Sequence, residues 1–172
     1  MNYFENYFTQ MSKCISEVDV SKLKDVSALV QSAKKNNGKV IIAGNGGSAA
    51  MASHVAVDFT KAAGIRAINF NEADLITCFA NDYGYENWVT EAIKAYADAN
   101  DLIILISSSG QSENITNAAK TAKQMDLKVV TLSGFLKNNP LRELGDVNLW
   151  IDSTGYNFVE TTHHVWLLAI VD

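Results

Sequence analysis

Apolar positions along this chain change their period near residue 38. Before it, Phe4, Tyr7, Phe8, Met11, Cys14, Ile15 and Val18 recur at three- and four-residue steps, as do Leu23, Val26, Leu29, Val30 and Ala33. That period is helical. Two helices are expected over 3–36, the second capped by Asp19 or Ser21 and stopped at Asn36-Asn37-Gly38. Beyond them, short apolar runs at Val40–Ala43, Ala67–Phe70, Leu102–Ile106, Val129–Leu132 and Val147–Ile151 alternate with helix-length segments. Uninterrupted runs of this kind fit parallel strands covered on both faces and joined by right-handed crossovers. The expected fold is α/β, a three-layer αβα sandwich with a five-stranded parallel sheet, preceded by N-terminal helices. One domain over 1–172 is expected, with a helical pair at 1–37 and an α/β body at 38–172. Pro140 suits the start of a short helix at Leu141–Leu144. The last stretch, Asn157–Asp172, reads as a helix without a closing glycine, which leaves open a helix that runs further.

Two polar loops interrupt this pattern, AGNGGSAA at 43–50 and SSSGQSEN at 107–114. Each follows an expected strand and opens an expected helix, so each leaves backbone N–H groups at the positive end of a helix dipole, where a phosphate binds. The first supplies Gly44, Gly46 and Gly47 for close approach, with Asn45 and Ser48 as donors. The second supplies Ser107, Ser108, Ser109 and Ser112 around Gly110. Neither loop has a lysine or spells the GxGxxG fingerprint, so no nucleotide cofactor is expected. A small phosphorylated metabolite is the better fit. For Ser112 the competing role is helix capping, with Glu113 in the first turn.

Charge narrows the partners. The 172-residue chain carries 14 basic and 19 acidic residues, a net charge of −5, with the basic ones scattered. A nucleic-acid surface needs them clustered, so no direct nucleic-acid contact is expected. No apolar run reaches the roughly 20 residues that span a bilayer, and MNYFENYFTQ lacks the form of a signal peptide. A cytoplasmic protein is expected, with Cys14 and Cys78 as reduced packing residues.

The segments GNGGSAAMASHVAVDFT (44–60), ANDYGYENW (80–88) and SSSGQSENITNAAKTAKQMDLKVVTLSG (107–134) resemble a sugar isomerase (SIS) domain, and among those the phosphoheptose isomerase branch. That branch interconverts sedoheptulose 7-phosphate and D-glycero-D-manno-heptose 7-phosphate, a step toward lipopolysaccharide and other surface-polysaccharide precursors. The resemblance implies the flavodoxin-like SIS fold and a homotetramer with the N-terminal helices at its core. By matching position it implies phosphate contacts from Ser48, Ser107, Ser109 and Ser112, to which the loops themselves add Gly46, Gly47 and Ser108 as candidates. It places Asn45 near the sugar hydroxyls and makes Asp82 a substrate-contacting residue.

The family's catalytic base is a glutamate on the helix after the first loop, and Asp58 stands in its place. Its carboxylate is one methylene shorter, roughly an ångström further back. His54, four residues earlier, shares its helical face. Many relatives hold zinc with this pair plus a glutamine and a histidine of the last helix, but those two positions fall here on Val159 and Leu167. Glu160 and His164, spaced i, i+4, offer an alternative. Asp58, His164 and Glu160 are thus the candidate acid/base groups, and His54, Asp58, Glu160 and His164 the candidate zinc ligands. His163 and His164 as partly buried or interface residues is the competing reading. A non-catalytic SIS module, binding sugar phosphates as a regulator or as a partner of the replication initiator, stays open, as does another sugar phosphate as substrate.

Overall fold

The computed structural model describes residues 2–172; Met1, the first residue of the expected helical pair, lies outside them. Asn2 caps α1 (Tyr3–Ser16) by a reciprocal capping box with Glu5. Asp19, of the two candidates, caps α2 (Val20–Lys35), accepting from the Ser21 amide. The sheet follows as expected: β1 (Val40–Gly44), β2 (Ala67–Asn69), β3 (Leu102–Ser107), β4 (Lys128–Ser133) and β5 (Val147–Trp150). All pairings are parallel and the order is β2-β1-β3-β4-β5. That is the flavodoxin-like order, whose reversal falls between β1 and β3.

Alternation along each strand builds two cores. Val40 and Ile42 of β1 join Leu102, Ile104 and Ile106 of β3 on one face, where α2, α3 (Gly47–Lys61) and α7 (Tyr156–Val171) pack. Ile41, Ala43, Ile103 and Leu105 point to the other, covered by α5 (Trp88–Tyr96) and α6 (Glu113–Gln124). The α4 helix (Ala73–Tyr83) lies on that second side with no fully buried residue. Pro140–Glu143 forms a 3₁₀ turn with the proline at its start. Cys14 is buried, but Cys78 is exposed on α4, with Asp82 as its neighbour at 3.8 Å. The packing role expected of Cys78 is therefore wrong, because α4 turns that position outward.

Candidate active site

The reversal of strand order sets the loops after β1 and β3 side by side at one rim of the sheet. In the first loop Gly46 takes φ +55°, a left-handed turn that glycine adopts without strain. The helix α3 then starts with no side-chain cap. In the second, Ser112 occupies the N-cap of α6, but its hydroxyl makes no capping bond and lies 3.0 Å from Ser107 Oγ instead. Gly155 opens α7, again with no side-chain cap. The helices α1, α2 and α4 do carry capping side chains, Asn2, Asp19 and Glu72. The α5 helix, preceded by Asn87, also lacks one, but only the ends of α3, α6 and α7 meet at the serine loops, where their dipoles and the amides left free favour an anion.

Between them lies a cavity of about 120 Å³, with walls from Asn45, Ser48, Ser107, Ser108, Ser109 and Ser112 and a far side of Tyr156 and Glu160. Ser48, Ser107 and Ser108 are 3–5 % exposed, so their hydroxyls belong to the interior. The Ser108 hydroxyl is buried without a hydrogen-bond partner among the described residues. Leaving such a group unpaired costs about 1–3 kcal/mol, which an oxygen-rich ligand would offset. Ser109 is engaged, accepting from the Gln111 amide at 3.2 Å. No lysine or arginine lines the cavity, so its attraction for an anion comes from amides and hydroxyls. A cavity of about 250 Å³ at the amino ends of the strands includes the buried Asp101, but that carboxylate is already bonded to Lys39 and to the Asp98 amide.

A second cavity of about 380 Å³ adjoins the first, bounded by Gly47, Met51, His54, Glu160, Thr161 and His164. Glu160 borders both cavities. Its carboxylate packs onto Gly47 so closely that a Cβ there would overlap it. The second cavity owes its shape to α3 lying along α7. His54 and His164 rings meet edge to face at 4.9 Å between centroids, and His54 Nε2 is 3.1 Å from Asp58 Oδ2. Burial holds the His164 imidazole below its usual pKa, helped by His54 and opposed by Asp58. His163, one residue earlier, points the other way into the core, with Nε2 3.1 Å from the Ser133 carbonyl. Burial pushes it down to about 4.

The structure thus brings together Asn45, Gly47, Ser48 and the four serines of the second loop, and beside them His54, Asp58, Glu160 and His164. It does not bring Asp82 to the cavity. Asp82 is exposed on α4, where Oδ1 accepts from Asn81. From the same segment Tyr85 reaches the first loop, its hydroxyl 3.1 Å from Asn45 Oδ1. Val159 and Leu167 are fully buried in the core. The face of α7 turned to the site carries Tyr156, Glu160 and His164, one helical turn apart each. Sequence reasoning missed Tyr156, which the i−4 spacing from Glu160 could have revealed, and also Asn114 and Tyr85, whose roles depend on tertiary contact.

The four candidate zinc donors suit that metal by type. Among the described residues, however, no three His, Cys, Asp or Glu side chains converge closely enough to hold a metal. As arranged they do not fit it, since Glu160 rests on Gly47.

Residues 2–134 match the SIS domain family, and the chain belongs to it. Its relatives point to one branch. The phosphoheptose isomerase of Helicobacter pylori (strain ATCC 700392 / 26695) is 33 % identical over 87 % of this chain and 81 % of its own. That of Aliarcobacter butzleri (strain RM4018) is 33 % identical over 82 % of this chain and 77 % of its own. The solved phosphoheptose isomerase of Neisseria gonorrhoeae superposes with a TM-score of 0.89 at 26 % identity, over 99 % of this chain and 94 % of that one.

Proposed function

We propose that the protein is a sugar-phosphate isomerase that interconverts sedoheptulose 7-phosphate and D-glycero-D-manno-heptose 7-phosphate. The observation that carries this reading is the pair of adjoining cavities. One is lined by hydroxyls at three uncapped helix ends, the other by His54, His164 and Glu160, which borders both, and Asp58 Oδ2 lies 3.1 Å from His54 Nε2. A sugar phosphate long enough to fill both would anchor its phosphate among Ser48, Ser107, Ser108 and Ser112. Binding energy from that anchor would orient the reactive end beside His54 and Asp58.

The reaction moves one hydrogen between neighbouring carbons. Asp58, as carboxylate, takes a proton from C1 of the ketose, giving an enediolate. The same proton is returned to C2, while the hydroxyl proton of O1 passes to O2, leaving the aldehyde at C1. His164, held neutral near pH 7, is placed to relay the proton between the oxygens, with Glu160 as the alternative relay. His54 orients Asp58 from 3.1 Å.

Zinc at His54, Asp58, Glu160 and His164 is a separate proposal that requires Glu160 to leave Gly47. Metal analysis of the purified protein tests it: one zinc per chain supports it and none refutes it. A homotetramer is proposed from the stripe of Tyr3, Phe4 and Phe8 on α1, which are 71 %, 66 % and 63 % exposed. A place in the cytoplasm, in the supply of surface-polysaccharide precursors, is proposed from the relatives' biosynthetic reaction. No helix among the described residues is long and apolar enough to cross a membrane.

The activity is tested by following sedoheptulose 7-phosphate with purified protein by NMR, with zinc and with chelator. Appearance of the aldose in either condition supports the enzyme. Tight binding of the sugar phosphate without conversion in both would reject it in favour of a non-catalytic module.

A further inference from the structure

A grip built from two loops is only as good as their spacing, and a reciprocal side-chain contact crosses between them. Asn45 Nδ2 donates to Asn114 Oδ1 and Asn114 Nδ2 donates to Asn45 Oδ1, each at 2.9 Å. Asn45 Oδ1 accepts a second bond from the Tyr85 hydroxyl at 3.1 Å. Asn114 sits in the first turn of α6 at 2 % exposure, one of the buried polar side chains. It does not line the serine cavity, whereas Asn45 does. The segment that carries Tyr85 is itself fastened to α6, because Asn117 Nδ2 donates to the Glu86 carbonyl at 3.2 Å. Three separate stretches of chain, 44–48, 84–87 and the start of α6, therefore converge on one amide.

We propose that Asn114 is a positioning residue for the phosphate grip: together with Tyr85 it clamps Asn45 and so fixes the distance between the two loops. This rests on the serine cavity being the phosphate site. Paired amides hold each other in one plane by two hydrogen bonds, which removes the rotamer freedom Asn45 would otherwise lose on binding. The inventory of bonds also says what Asn45 presents. Its oxygen accepts from two donors and its nitrogen gives one hydrogen to Asn114, so one amide hydrogen is left for the ligand. Asn45 meets the ligand as a donor. An aspartate at either position would lose one of the reciprocal bonds and add a negative charge beside the phosphate.

The test measures inorganic phosphate binding to the full chain by calorimetry in the wild type, Asn114→Leu, Asn45→Ala, the double variant and Tyr85→Phe. The Asn114→Leu and Asn45→Ala variants are each expected to weaken phosphate binding about 10-fold. The double variant should be no weaker than Asn45→Ala alone, because Asn114 acts only through Asn45. With sugar phosphate, Asn114→Leu should raise KM about 10-fold and change kcat by less than about 3-fold. Tyr85→Phe alters a hydroxyl on a side chain that is 56 % exposed and keeps the fold. It should weaken phosphate binding about 3-fold, and not at all in the Asn45→Ala background; it carries the test if Asn114→Leu does not fold. Losses that multiply in the double variant, or unchanged affinity in both Asn114→Leu and Tyr85→Phe, overturn the proposal while leaving the phosphate site standing. Failure of the wild type to bind phosphate overturns both.

Discussion

Two adjacent histidines on α7 sit in opposite surroundings, and each makes a prediction. His163 is fully buried, and its pKa falls from an ordinary 6.5 to about 4, chiefly by burial. Between those values the unfolded chain holds a proton that the folded chain does not. Stability is therefore whole above about pH 6.5 and is lost as pH falls toward 4, by about 3 kcal/mol in all. Urea titrations at pH 7 and pH 4.5 should register that loss, and His163→Gln, which keeps a donor for the Ser133 carbonyl, should reduce it. His164 faces the second cavity, where it is proposed to relay a proton while Asp58 acts as the base. Asp58→Asn keeps the size of the side chain but removes the base, so kcat should fall about 10²–10⁴-fold with phosphate affinity unchanged, as steady-state kinetics and calorimetry would read. The placement of the serines and of His54 beside Asp58 was legible in the sequence because it follows from local geometry: a loop after a strand, and two residues one helical turn apart. Asp82 lies exposed on α4 and does not line the serine cavity, and nothing local in the sequence says which way α4 faces. Asn114 was invisible for a related reason: a buried asparagine gains its role from a partner 69 positions away.

Among the elements, the helices that matter are α3, α6 and α7, whose uncapped ends meet at the serine cavity. Ser112 could have been read as an ordinary N-cap, yet its hydroxyl turns to Ser107 and leaves the α6 terminus to a ligand. Stability and binding should then respond in opposite directions to one change. Ser112→Asp supplies a strong cap and a favourable charge at the dipole, so it should stabilise the fold by about 0.5–1 kcal/mol in thermal melts. The same carboxylate should abolish phosphate binding by repulsion. The α3 terminus is constrained differently: Gly47→Ala displaces the Glu160 carboxylate. Because that carboxylate is the far end of a flexible side chain, melting should change little while kcat falls about 10–100-fold. The strands were legible to within a residue or two, because their apolar runs are unbroken. The α7 helix was legible as a helix, and the i, i+4 spacing of Glu160 and His164 marked the face that lies beside His54; Tyr156 on the same face was not picked out. Val159 and Leu167 lie in the core, and packing against the sheet, not spacing alone, leaves Tyr156, Glu160 and His164 on the face turned to the cavities.

For the molecule as a whole, the alternation of strands and helices gave the layered architecture, and the position of the two loops placed the site at the carboxyl rim. What the pattern did not contain was the strand order that sets β1 beside β3 and draws those loops together. That juxtaposition makes one cavity out of two half-sites, and Glu160 borders both it and the cavity that holds His54 and His164. The exposed aromatic stripe of α1 is expected to be covered by other copies of the chain, so light scattering should give four chains per particle. The central claim is that a single sugar phosphate spans both cavities. A crystal structure of the Asp58→Asn variant with sedoheptulose 7-phosphate tests it most directly. The phosphate is expected among Ser48, Ser107, Ser108 and Ser112, with C1 and C2 beside His54 and residue 58. A phosphate seated elsewhere, or a sugar whose reactive carbons point away from α7, would contradict it.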